Sequence, residues 1–310
     1  MQSKHTKLGT VCSLLIVLSI LVGCGSAGGV APTEAPKETA PITQAAVTVP
    51  ATGPVAGSTE ASVIDEITAR GKIRMAIFAL EGAPNQRRNE DTGEIEGYFA
   101  DVGRLLAKDL GVEPEFVDLE WKAIVPSVLS GQVDIIVAMP SATPKRALSM
   151  DFPACVVTYD SAAMMNKDGP IKTAADLKKP GVRIAVNMGT THHMLAENQY
   201  PDAELIVYEA GTGAGALEIS SGRADVGFTN VADIIEAMDE FPSIRPVRDE
   251  NGEIAILARE PGCFAIRLGD PRFYNWLVNW TRWYKEHGIL DAMFMKWAGP
   301  TLEKIKNLPK

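Results

Sequence analysis

Val125-Pro126-Ser127-Val128-Leu129-Ser130-Gly131-Gln132-Val133-Asp134-Ile135-Ile136 is echoed by Ala216-Leu217-Glu218-Ile219-Ser220-Ser221-Gly222-Arg223-Ala224-Asp225-Val226-Gly227. In each copy an apolar helical stretch ends at Ser-Gly, where glycine takes a left-handed cap without steric cost. After two intervening residues an Asp opens a short β run. Each copy is therefore half of an α/β lobe. The β runs end in small polar clusters, Ser141-Ala142-Thr143 and Thr229-Asn230, and in open α/β sheets ligands sit beyond the carboxyl ends of strands. The expected architecture is α/β, two lobes facing each other across a cleft.

The pattern continues outward from the copies. Residues 72–78 read as the first strand and 87–97, holding Asp91-Thr92-Gly93, as a polar hairpin. Phe99, Val102, Leu105, Leu106 and Leu110 share a helical face closed by Gly111, and Glu115-Phe116-Val117 follows as a strand. Val156-Val157-Thr158 and Ala162-Ala163-Met164-Met165 read as extended, and the chain crosses to the second lobe near them. Arg183-Ile184-Ala185-Val186 is a strand ending in Gly189-Thr190-Thr191, with a helix from His192 to Gln199. Gly211-Thr212-Gly213-Ala214-Gly215 lacks the spacing of the dinucleotide fingerprint and any following Lys-Ser/Thr, so it reads as a turn before a helix. Gly262 to Arg267 returns the chain to the first lobe. Asp270 through Lys296 reads as one helix whose stripe of Phe273, Trp276, Leu277 and Trp280 is core.

Lys4 and Lys7 precede an apolar run, Val11 to Val22, that leads into Gly23-Cys24. This is the pattern of an export signal, and the run is shorter than the about 20 apolar residues of a permanent membrane span. A cysteine after Leu21-Val22-Gly23 resembles the lipobox of bacterial lipoproteins, which implies cleavage before Cys24 and lipidation of its thiol. Residues 25–60, rich in Ala, Pro and Thr and nearly free of charge, read as a disordered tether. Residues 61–310 are long enough for two lobes with separate cores. Beyond residue 24 the chain keeps 28 of its 30 basic residues against 39 acidic ones, a net charge of −11, and no basic stripe of the kind nucleic acid requires. Of four cysteines, Cys155 and Cys263 fall in the expected folded part, where an oxidising compartment permits either one disulfide or two buried thiols.

A set of short motifs then points to a family. Gly71-Lys72-Ile73-Arg74, Gly97-Tyr98-Phe99-Ala100-Asp101-Val102, Trp121 ahead of Ile124-Val125-Pro126, Thr143-Pro144-Lys145-Arg146, Met150-Asp151-Phe152, Gly189-Thr190-Thr191, Gly222-Arg223-Ala224-Asp225 and Phe264-Ala265-Ile266-Arg267-Leu268-Gly269-Asp270 occur in this order. Together the chain resembles the polar-amino-acid solute-binding proteins of ABC importers, family 3, of lipoprotein type. The resemblance implies a type II periplasmic-binding-protein fold, with residues 61–158 and 259–304 in lobe 1, 162–256 in lobe 2, and two hinge crossings that close on a ligand. It implies no catalytic residue and no cofactor. The implied partners are a small carboxylate-bearing ligand, most readily an amino acid, an ABC permease, and a membrane reached through the lipid anchor, with a monomer outside the cytoplasm.

Arg146, just beyond a strand end, has the fork geometry to grip a carboxylate with two hydrogen bonds. In the family the matching arginine holds the ligand's α-carboxylate, and Ser141 matches a serine whose hydroxyl helps. Gly189 and Thr191 stand where a helix begins, and backbone N–H groups there favour an anion. Trp121 matches an aromatic that stacks on the ligand, and Met139 belongs to the same candidate set. Where the family usually carries an Asp for the ligand's α-ammonium, this chain has Asn230. Glu81 is a candidate to supply the missing charge; a ligand without an ammonium, such as an organic acid, is the alternative. His192-His193 lacks metal-ligand spacing. A sensor subunit and a dehydratase-like enzyme on the same fold are the remaining alternatives.

Overall fold

In the computed structural model, which describes residues 61–209, 211 and 213–308, the Asp of each sequence copy does the same job. Asp134 Oδ2 accepts the backbone N–H of Arg74 at 2.8 Å while Oδ1 accepts its guanidinium at 2.8 Å. Asp225 repeats this with Arg183, accepting its N–H at 2.9 Å and its Nη2 at 2.6 Å. Each carboxylate thus pins the first turn of a strand to the loop that feeds its neighbour. Gly131 and Gly222, both at φ +75°, adopt the left-handed conformation that makes each loop possible. The export run, Cys24 and the tether of residues 25–60 lie outside the described residues, as do Ala210 and Thr212 of the glycine loop.

The chain runs α1 (Val63–Arg70), β1 (Lys72–Ile77), a hairpin of β2 (Arg87–Arg88) and β3 (Ile95–Glu96), α2 (Tyr98–Leu110), β4 (Glu113–Asp118), α3 (Trp121–Leu129), β5 (Ile135–Ile136), α4 (Pro144–Ala147) and β6 (Met150–Asp151). Strand β7 (Cys155–Asn166) leads into the second lobe, which holds β8 (Arg183–Asn187), α5 (Thr191–Gln199), β9 (Glu204–Tyr208), α6 (Gly213–Ser220), β10 (Val226–Asn230), α7 (Val231–Glu240) and β11 (Ile244–Pro246). The return is β12 (Ile256–Cys263), followed by β13 (Ile266–Arg267), α8 (Pro271–Glu286) and α9 (Ile289–Lys306).

Lobe one is built on the parallel sheet β4-β1-β5 and lobe two on the sheet β11-β7-β10-β8-β9. Each sheet has an apolar layer on both faces. Phe99, Leu106, Phe264 and Phe273 pack on one side of the first, and Ile124, Val128 and Met150 on the other. Ile219, Ile234 and Ile244 cover one side of the second, and Leu177, Ile184 and Phe228 the other. The lobes are joined by one antiparallel ribbon, β7 paired with β12 from Ala162↔Ile256 to Cys155↔Cys263. At its lobe-one end Cys155 and Cys263 form a disulfide.

Two expectations change. The two extended stretches at 156–158 and 162–165 are one strand, because Tyr159, Asp160 and Ser161 continue the pairing with β12. The helix expected over 270–296 is two helices, broken at Gly288, which takes φ +69°. The second continues through Gly299-Pro300 to Lys306 and touches both lobes. Its Met293, Phe294 and Trp297 pack on the lobe-one core, and Ile305 packs on that of lobe two with Leu308 just beyond the helix. Lys304 pairs with Asp239 of α7 at 2.5 Å. Among the described residues no helix is long and apolar enough to cross a membrane.

Candidate functional site

Four strand ends deliver the floor of a cleft between the lobes: Phe78 after β1, Met139 after β5, Asn187 of β8 and Asn230 of β10. Met139 is a non-glycine residue at φ +50° and almost wholly buried. This is the kind of strained backbone that persists only where the surrounding fold dictates it. It turns the chain toward Pro140 and Ser141.

Arg146 sits on α4, whose N-cap Thr143 accepts the Arg146 N–H. Its guanidinium donates to the Ser141 carbonyl at 2.9 Å and, across the cleft, to the Gly189 carbonyl at 3.0 Å. A guanidinium has five N–H donors, so three remain for a ligand. The group lies 6.0 Å over the Trp121 ring, which is itself edge-on to Phe78 at 5.9 Å. Trp121 and Arg146 thus form one cation–π wall on the lobe-one side. A second contact across the cleft joins Lys122 to Glu209.

The other expected residues fall as follows. Thr191 and Asn230 line the cleft from the lobe-two side, at the starts of α5 and α7. Gly189 does not line it; its exposed backbone, at φ +74°, meets Arg146 through the carbonyl. Ser141 lines it, but its hydroxyl donates to Glu260 Oε2 at 2.7 Å. Glu81 lines it from a turn after β1, 9% exposed, and accepts from Asn85 Nδ2 at 2.8 Å and Gln86 Nε2 at 2.6 Å. Burial, with the neighbouring charge of Asp233 adding to it, pushes the Glu81 carboxyl up to about 8.

Among the lining residues that were not picked from sequence as ligand contacts are two acids, Asp233 and Glu260, and the imidazole of His192. Asp233, 3% exposed on the first turn of α7, accepts from Thr229 Oγ1 at 2.6 Å and from the Asn230 N–H at 3.3 Å, and burial pushes it up to about 6. Glu260 on β12 accepts from Ser141 and, at 3.4 Å, from Ser161 Oγ. His192 is buried with Nε2 3.1 Å from Ser161 Oγ, and desolvation lowers its pKa. The Asn-x-x-Asp spacing of 230 and 233 was a readable capping signal. Nothing local marked Glu260. Among the described residues no group of three His, Cys, Asp or Glu side chains is placed to hold a metal ion.

A cleft floored by strand ends, walled by two α/β lobes and bridged by a paired ribbon defines a type II two-lobe binding protein. The model of the family described as bacterial extracellular solute-binding proteins, family 3, matches residues 77–300, and the chain belongs to that family. It is 28% identical to the ABC transporter arginine-binding protein 1 of Escherichia coli (strain K12) over 151 residues, 49% of this chain and 60% of that protein. To the L-cystine-binding protein TcyJ of the same strain it is 25% identical over 269 residues, 84% of this chain and 97% of that protein. Among solved structures, the ancestral amino acid-binding protein AncCDT-1, a precursor of cyclohexadienyl dehydratase, is 33% identical with a TM-score of 0.66. That likeness covers 76% of this chain and 99% of that one.

Proposed function

We propose that this chain is the extracytoplasmic substrate-binding component of an ABC importer, capturing an amino acid by cleft closure and presenting it to a permease. The observation that carries the reading is Arg146. It belongs to lobe one, bonds the lobe-two carbonyl of Gly189 and keeps donors for a carboxylate, so one anion at this point favours the closed arrangement. Residues 61–158 and 259–304 move as one lobe and 162–256 as the other, about the β7–β12 ribbon. Cys24 carries acyl chains and residues 25–60 tether the folded part, as a monomer, to the membrane; the expected outcome of metabolic labelling is fatty acid in the wild-type chain and none in Cys24→Ser.

The test is a melting screen of the full-length chain in detergent, read by its five tryptophans, against amino acids and the matched acids without the amino group. A ligand that binds only the folded state raises the midpoint by mass action. Stabilisation by an amino acid and not by its deaminated analogue supports the reading; stabilisation by the deaminated acid alone moves the chain to an organic-acid carrier. A dehydratase-like enzyme is favoured by one observation, the Glu81 carboxyl that keeps its proton near neutral pH inside the cleft. Conversion of the bound compound, followed by NMR over a day, would decide for that enzyme; recovery of the compound unchanged decides for a carrier.

A further inference from the structure

Helix α7 is gripped from two sides by segments rooted in lobe one. On one side its Glu236 accepts the Ala83 N–H and crowds Gly82, where a Cβ would fall 2.2 Å from Oε2. On the other, Ile235, Met238 and Asp239 share a groove with Pro300, Lys304 and Leu308, where α9 ends. At about 100° per residue, Ile235 and Met238 stand about 140–160° round the helix from Asp233, which lines the cleft. The second grip is therefore on the side of α7 turned away from the ligand.

That grip starts from a firm base. Asp101 of α2 accepts from Lys296 Nζ at 2.7 Å and from Trp297 Nε1 at 2.8 Å, and Phe294 stands edge-on to Tyr98 at 5.3 Å. Gly299 and Pro300 come next. Pro300 has no N–H to give the Lys296 carbonyl and Gly299 adds no side chain, so α9 is weakest between its two seats. Past this joint Ile305 and Leu308 pack on the lobe-two core, and Lys304 pairs with Asp239. Both ions are more than half exposed and their pairing adds little, so the two partly buried aliphatic side chains supply the attachment. The family match ends at residue 300, and the segment that reaches lobe two lies past it.

We infer that residues 301–308 are a strap, a third connection between the lobes besides the two strands of the ribbon, which holds α7 against the lobe-one turn at 82–83 and favours the closed arrangement. Parting the lobes takes α7 away from that turn, while the strap stays fixed to lobe one at Trp297. A bend at Gly299-Pro300 absorbs a small displacement. A larger one costs the contacts of Ile305 and Leu308, so the strap resists opening without forbidding it. The inference goes beyond the importer reading, since it concerns the lobes and holds for any ligand.

The experiment is hydrogen exchange of the full-length chain in detergent, without ligand, read by mass spectrometry with fragmentation that isolates the Ala83 amide. Glu236 holds that amide from across the lobes, so its exchange rate follows the fraction of molecules whose lobes are apart. In Ile305→Asn it exchanges about tenfold faster than in the wild-type chain, the scale of one partly buried aliphatic side chain, while the amides of β1, β10 and α7 keep their rates. Leu308→Ser, at the far end of the strap, moves Ala83 the same way by about threefold and carries the test if Ile305→Asn does not fold. An Ala83 rate within about 1.5-fold of wild type in the folded variants overturns the inference. So does an acceleration of Ala83 matched by α7, which makes the segment a buttress of that helix alone. Neither result bears on the importer reading, which the melting screen decides separately.

Discussion

Arg146 is the residue on which most depends, and what it does is a matter of shape as well as charge. Its guanidinium holds Ser141 and Gly189 carbonyls at once and lies over Trp121. A lysine reaches one of these and presents no fork. Arg146→Lys is expected to weaken the ligand found in the melting screen by about 2–4 kcal/mol in titration calorimetry, with the apo melting midpoint little changed. Glu81 and Asp233 make a different prediction. Their folded-state values, about 8 and about 6, lie above the ordinary 4.5 and 3.8, so the folded chain keeps protons that the unfolded chain has released. Stability then falls as pH rises through this range. Buried His192 acts in the opposite sense below its ordinary 6.5 and drops out above it. The clean window is therefore pH 6.5 to 8, where ligand-free stability should decline by on the order of 1–2 kcal/mol through Glu81. Glu81→Gln should flatten that decline in urea titrations across the window; an unchanged slope would assign it to other groups.

At the scale of elements, the repeated phrase was legible because its own parts are local: an apolar helix, a glycine with positive φ, and an Asp that opens the following strand. The two copies differ in setting. Asp134 is fully buried with both Arg70 and Arg74, whereas Asp225 is 13% exposed and has Arg183. Asp134→Ala should cost about 3–5 kcal/mol and Asp225→Ala clearly less, measured by urea denaturation. The continuous β7 was not legible, since Tyr159-Asp160-Ser161 looks like a turn until β12 is there to pair with it. Nor was the break at Gly288, because the apolar stripe continues on both sides of it. Of the disulfide, sequence offered two cysteines near the crossings; the register that makes them partners is a property of the ribbon. Replacing both by Ala should lower stability by about 2–4 kcal/mol, since the bridge closes a long loop in the unfolded chain.

At the scale of the molecule, the cleft collects residues from positions 81, 146, 191, 233 and 260, which no local pattern connects. Residues that follow strands, such as Arg146, Ser141 and Asn230, were readable because the open-sheet rule predicts where ligands sit. Asp233 and Glu260 were not, because an acid one turn into a helix or within a strand reads as solvated surface until a second lobe covers it. Helix α9 is the other long-range feature, lying on both lobes through Trp297 at one end and Ile305 at the other. Any rotation of one lobe against the other must drag or peel its final turn, far from the ligand. The state of the cleft is thereby written on the outside of the protein. A solvent-sensitive dye on Asn307, which helps cap that turn, would turn occupancy into colour, making the chain a gauge whose pointer its cargo never touches.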